Sequence, residues 1–148
     1  MTLRRATPDD LDALVRLLGI LFEQEVEFSP DAVVQRRGLE LILAQPDSGF
    51  ILVAERDATV VGTITVQYSI STVLGARVGF LEDVVVLPSL RNDGIGSQLL
   101  QAACEEAQRQ GCQRLTLLTD GDNSKAQRFY QRHGFKRSSM VPFRRFFR

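Results

Sequence analysis

A strand-like run, Leu81-Glu82-Asp83-Val84-Val85-Val86-Leu87, stops at Pro88 and is followed within a few residues by Gly94 and Gly96. Two glycines at the start of a helix leave backbone N–H groups uncovered at the positive end of its dipole. Such an end suits an anion, a pyrophosphate among them. Two familiar phosphate cradles do not match. A P-loop needs Lys and then Ser or Thr after its last glycine, whereas Gly96 is followed by Ser97-Gln98. The dinucleotide-binding fingerprint needs a third glycine at position 99, which is Leu, although Asp120 and Asp122 stand roughly where its acidic residue would. Taken alone, the glycines would also fit close helix–strand packing.

Other reactive side chains are few. Cys104 and Cys112 are eight residues apart, with no Cys or His at metal-ligand spacing. They read as small buried or half-buried thiols, and no metal site is expected. His133, the single histidine, precedes Gly134 in the last turn of a helix, where a cation suits the dipole without any catalytic task. Lys plus Arg and Asp plus Glu number 18 each, so the net charge is zero. A nucleic-acid partner is not expected, because phosphate neutralisation needs a basic surplus or stripe. No run approaches the ~18 apolar residues of a membrane span, so no membrane partner is expected either. Met1 leads into Thr2-Leu3-Arg4-Arg5-Ala6 with no apolar run behind it, which points away from a signal peptide and toward the cytosol.

The elements that must position these residues can be read in order. Residues 1–6 read as a strand, and Thr7-Pro8-Asp9-Asp10 as a helix start ahead of Leu11, Leu14, Val15, Leu18 and Leu21 at helical spacing. A second helix follows Ser29-Pro30-Asp31. Phe50–Ala54 and Val60–Val66 form a hairpin around Glu55-Arg56-Asp57-Ala58, and a loop spans Ser69 to Gly75. A strand covers about Arg77 to Leu87, a helix Gly94 to Gln110, and a strand Leu115 to Leu118. A short helix from about Ser124 carries Phe129 and Tyr130 and ends at Gly134 as a left-handed cap. Phe135 onward reads as strand again, and Phe143-Arg144-Arg145-Phe146-Phe147-Arg148 as an edge strand or dimer contact. With no repeat or linker, residues 1–148 read as one domain of α/β class. The order is β-α-α-β-β-β-α-β-α-β, with a final strand possible, giving a mixed central sheet flanked by helices on both faces.

Two segments resemble the GNAT superfamily of N-acetyltransferases. Arg91-Asn92-Asp93-Gly94-Ile95-Gly96, preceded by Val86-Leu87-Pro88, matches its Arg/Gln-x-x-Gly-x-Gly/Ala signature. Asn123 and Phe129-Tyr130-Gln131-Arg132-His133-Gly134-Phe135 match its second motif in order and spacing. The resemblance, which covers nearly the whole chain, implies an acetyl-CoA-dependent enzyme. By it, Val84, Val85 and Val86 would pair through their backbone with the pantetheine arm as if with an added strand. Arg91, Asn92, Asp93, Gly94, Ile95, Gly96 and Ser97 would hold the pyrophosphate, and Asn123 would contact the cofactor arm. Tyr130 would protonate the departing thiolate, as direct transfer requires a proton donor beside that sulfur. Asn92 and Asp93 depart from the usual pattern. Asn tolerates the left-handed backbone that Gly would allow, whereas Asp93 puts a negative charge near the phosphates unless it points away.

The acceptor amine must also lose a proton. Glu82 and Asp83 are the candidates, and since neighbouring strand residues face opposite sides, at most one points at the acyl centre. The Leu81-Glu82-Asp83 segment is similar to one in polyamine acetyltransferases, which favours Glu82 acting through water; both acids could equally be solvated strand residues. Glu23-Gln24-Glu25-Val26-Glu27-Phe28 falls where the family shapes its acceptor site, and three acids there would attract a small cationic amine. A solvated helix face fits the same residues. A protein or peptide amine remains an alternative acceptor, and a non-catalytic acyl-CoA-binding module of the same fold an alternative function. The family also allows a homodimer.

Overall fold

The computed structural model describes residues 1–24 and 30–147. They fall into two compact units, residues 1–118 and 119–148, described in turn. The Glu25–Phe28 part of the acidic stretch lies outside the described residues.

The first unit opens with β1 (Thr2–Arg5) and a 3-10 turn at Pro8–Asp10 that leads into helix α1 (Leu11–Glu23). Helix α2 (Ala32–Leu43) starts where Asp31 accepts a bond from the Val34 N–H at 3.2 Å, a side-chain cap on an otherwise orphaned donor. Strands β2 (Gly49–Arg56), β3 (Thr59–Ser71) and β4 (Ala76–Val86) follow, then helix α3 (Ile95–Arg109) and β5 (Leu115–Leu117). The sheet order is β1-β2-β3-β4-β5, antiparallel throughout except for the β4–β5 pair. That one parallel pair is what the α3 crossover requires.

The sheet is covered on both faces, and period-two alternation shows how. Ile51 and Val53 of β2 join Leu11, Leu14, Leu18 and Leu39 in one apolar cluster under α1 and α2. Ala54 pairs with Gly62 on the opposite face, where a methyl group at Gly62 would meet the Leu99 side chain of α3 at 3.0 Å. The absent side chain lets α3 lie close to β3, and Ile95, Leu99, Leu100, Ala103 and Ala107 are buried there.

Two loops are tighter than the sequence suggests. Strand β2 runs through Arg56, and the hairpin turn is only Asp57-Ala58, both left-handed (φ 51° and 63°). That is the two-residue geometry matching the twist of paired strands. Strand β3 likewise continues to Ser71, leaving a shorter turn before Gly75 (φ 62°).

The second unit holds helix α4 (Ser124–Arg132). Its end is a Schellman closure: Phe135 N–H donates to Tyr130 C=O and Gly134 N–H to Gln131 C=O, both at 3.1 Å, with Gly134 at φ 90°. The strand expected from Phe135 onward is not formed, as residues 135–147 carry no helix or strand. The exposed apolar residues there are Met140, Val141, Phe143, Phe146 and Phe147, and in an extended chain Met140 and Phe146 would fall on the face opposite the other three. No single face of a strand would collect them.

Candidate active site

The segment from Glu82 to Ser97 is shaped by two interruptions of sheet pairing. The first is a bulge in β4. Val85 pairs with Thr63 and Glu82 with Thr65, so Asp83 and Val84 stand against Ile64 alone. Asp83 takes a left-handed backbone (φ 55°), the kink such an extra residue brings. Simple alternation therefore fails between Glu82 and Val84, and the inference that Glu82 and Asp83 face opposite sides loses its basis. Glu82 is exposed and Asp83 half-buried.

The second interruption is on the other edge. Strand β5 pairs with β4 only from Gly79 to Leu81, whereas β4 continues to Val86. Over Glu82–Val86, β4 thus has β3 on one side and no strand on the other among the described residues. Leu87 N–H donates to Val61 C=O at 2.9 Å. Antiparallel alternation then turns the Val86 N–H and C=O away from β3, toward the opened side. The Val86 carbonyl accepts a bond there from Arg91 Nε at 3.3 Å, which ties the loop to the end of the strand.

Between strand and helix, the chain turns through Asn92 (φ 76°) and Gly94 (φ 80°), both left-handed. Asn92 does what was expected of it, occupying without glycine a conformation that Asn tolerates. Gly94 is the residue that precedes the first turn of α3, and a Cβ there would meet nothing within 4 Å. The surface above this turn is open. Helix geometry leaves the first-turn N–H groups of Ile95 and Gly96 without intrahelical acceptors, while Ile95 is buried and anchors the end. Asp93 does not stand alone: its carboxylate is 3.4 Å from Arg56 Nη1, across from the β2–β3 hairpin. Left-handed residues at Asn92 and Gly94, just ahead of a helix N-terminus and next to Arg91, are a backbone arrangement of the kind that can receive a phosphate-type anion.

In the second unit, Asn123 caps α4, its Oδ1 accepting from Ala126 N–H at 3.1 Å. The sequence reading gave this residue only a cofactor contact and missed the cap, although Asn at a helix start signals one. Its amide NH2 is a separate donor group. Tyr130 stacks edge-on with Phe129 (5.2 Å) and Phe135 (5.8 Å), and His133 packs on Phe129 at 5.0 Å. Burial pushes the Cys104 and Cys112 thiols up, so neither is held as a thiolate nucleophile. An open cavity of about 360 Å³ lies elsewhere, between α1 and the start of α2, lined by Asp12, Val15, Arg16, Ala32, Val33 and Arg36.

The sequence from residue 12 to 135 matches the Acetyltransferase (GNAT) family. The chain belongs to that family. It is similar to an aminoalkylphosphonate N-acetyltransferase of Salmonella typhimurium, 35% identical over 92% of this chain and 85% of that protein. A glucosamine 6-phosphate N-acetyltransferase of Trypanosoma brucei brucei is 30% identical over 92% of this chain and 89% of its own. The crystal structure of a Trypanosoma brucei acetyltransferase superposes with a TM-score of 0.76 at 26% identity, covering 98% of this chain and 99% of that one. The GNAT protein described here is accordingly an N-acetyltransferase, of a family that takes its acetyl group from acetyl-CoA. No helix among the described residues is long and apolar enough to cross a membrane.

Proposed function

We propose that this enzyme transfers an acetyl group from acetyl-CoA directly to the primary amine of a small molecule. The observation that carries the reading is the early end of the β4–β5 pairing at Leu81, beside a strand that continues to Val86 and leads into the Gly94 turn. A backbone edge opened over Val84–Val86 can take an amide-bearing arm as an added strand, and pantetheine is such an arm. Arg91, Asn92, Gly94, Ile95, Gly96 and Ser97 then hold the pyrophosphate, with Asp93 kept from repelling it by Arg56. Asn123 serves the arm through its amide NH2 while its oxygen caps α4. Tyr130 supplies the proton to the leaving thiolate as the thioester C–S bond breaks. Glu82 accepts the amine proton through water, with Asp83 the alternative.

Two acceptor chemistries compete. The acids at Glu23, Glu25 and Glu27 favour a cationic amine. The names of the two relatives favour an amine that also bears a phosphonate or phosphate. Thiol release from acetyl-CoA, measured across diamines, aminoalkylphosphonates, glucosamine 6-phosphate and lysine or N-terminal peptides, separates them. Turnover with one class, lost in Tyr130→Phe while acetyl-CoA still binds, supports the assignment and names the acceptor. Turnover confined to peptides transfers the activity to protein amines. Acetyl-CoA binding with no turnover on any amine, unchanged by Tyr130→Phe, makes the domain a binding module instead.

A further inference from the structure

The Arg91 side chain bonds to the very oxygen that an added strand would need. Its Nε donates to the Val86 carbonyl at 3.3 Å, and Val86 turns both its N–H and its C=O away from β3. An arm pairing with that edge donates an N–H to the same carbonyl. A carbonyl oxygen has two lone pairs, but guanidinium and arm approach from one side, so they compete for the space beside the strand as well as for the bond.

The charges around Arg91 leave it ready to move. No ion pair holds its guanidinium among the described residues, because the nearby Asp93 pairs instead with Arg56 at 3.4 Å. Arg91 is exposed, and its side-chain bond goes to a neutral acceptor. A phosphate group offers opposite charge and a second parallel N–H···O bond, so a guanidinium within reach of both partners favours the phosphate.

We infer, resting on the acetyl-CoA reading above, that Arg91 is a specificity-determining residue that makes pairing of the pantetheine arm conditional on the pyrophosphate. Without a pyrophosphate, the guanidinium stays on Val86 and stands where the arm would pair. A pyrophosphate at the Gly94 turn draws the guanidinium over and releases the Val86 oxygen to an arm N–H. No covalent bond or proton is transferred; a bond to a neutral carbonyl is exchanged for a charged pair, and the arm gains the carbonyl. The site thereby selects thioesters of CoA over thioesters of pantetheine alone by more than the pyrophosphate's own contacts supply.

The test uses the full chain with two fragments of the donor, S-acetyl-pantetheine and inorganic pyrophosphate, titrated singly and together by NMR of the backbone amides. In the wild type, saturating pyrophosphate is expected to tighten S-acetyl-pantetheine about two- to tenfold, the range of one net hydrogen bond. Arg91→Ala is expected to bind S-acetyl-pantetheine more tightly than the wild type by the same factor, with pyrophosphate adding nothing further. The same variant should bind acetyl-CoA about tenfold more weakly. A merely structural role for the Arg91–Val86 bond would instead weaken both donors in the variant. Fragments that bind the wild type independently overturn the inference, a result that needs no variant to be folded. An Arg91→Ala protein that binds S-acetyl-pantetheine no better overturns it too. Either result leaves the cofactor assignment standing where the wild type binds acetyl-CoA; a wild type that does not bind acetyl-CoA overturns both.

Discussion

The Tyr130 ring meets Phe135 edge-on, centroids 5.8 Å apart and planes inclined by 70°, while the Phe135 N–H closes a bond to the Tyr130 carbonyl. One residue thus holds Tyr130 by both its backbone and its side chain, and Gly134 makes this possible by turning left-handed between them. The Phe-Tyr-x-x-x-Gly-Phe spacing has a mechanical reason: it fixes the residue proposed as proton donor at the end of a helix that closes on itself.

Removing either half of this clamp should loosen Tyr130 without touching the loop proposed to hold the pyrophosphate. Gly134→Ala forces a Cβ into the left-handed region, at a cost of roughly 1–2 kcal/mol. Phe135→Ala removes an aromatic pair worth about 0.5–1.5 kcal/mol. Both variants are expected to lower kcat several-fold while leaving the KM for acetyl-CoA nearly unchanged, and Phe135→Tyr should retain activity. Steady-state kinetics with either substrate varied checks the split. A fall in acetyl-CoA affinity with kcat intact would remove Tyr130 from the chemical step.

Arg56 carries a second expectation. Its pairing with Asp93 keeps one negative charge from acting freely on the turn proposed to hold the pyrophosphate. Both side chains are partly exposed, so the pair itself contributes little to stability, about 0–1 kcal/mol. Arg56→Gln should therefore unfold at nearly the wild-type temperature but raise the KM for acetyl-CoA by about two- to fivefold at low salt, less at high salt. Arg56→Gln/Asp93→Asn should recover most of the loss. If the double variant binds no better than the single one, Asp93 is not what Arg56 offsets.

Much of this arrangement was legible before the structure, because its signals are local. Gly94 and Gly96 at a helix start, Gly134 after a short amphipathic helix, and Asp31 before another each act within a turn of where they stand. The bulge was not legible. Glu82-Asp83-Val84 contains no glycine or turn pair, and an aspartate at φ 55° is imposed by the register of β3 against β4. The Asp57-Ala58 turn is similar, since alanine has no preference for φ 63° and the paired strands dictate it. The C-terminal strand was over-read, because Val141, Phe143, Phe146 and Phe147 favour a strand only where an edge receives them. The Arg56–Asp93 pair joins residues 37 apart and had no sequence signal at all.

Acid should unfold the first unit through two carboxylates held below their ordinary range. Asp10, only 6% exposed, accepts from Arg4 at 2.8 and 2.9 Å and from the Thr7 N–H at 2.8 Å; the Arg4 bonds are the chief cause of its lowered pKa. Glu106 falls from 4.5 to about 2 through bonds from Gln110, then Arg109 and Arg5. Because both are depressed in the folded state, their stabilisation is complete above the ordinary carboxylate pKa and is lost as pH falls toward their folded values. Denaturant midpoints should therefore hold level near neutrality and drop between about pH 4.5 and pH 2. Glu106→Gln should start lower at neutral pH but fall less steeply on acidification, the two curves converging near about pH 2–3. Asp10→Asn, which weakens the bonds to Arg4, should cost about 1.5–3 kcal/mol at neutral pH and flatten the same limb. An acid limb equally steep in both variants would place the acid sensitivity elsewhere in the chain.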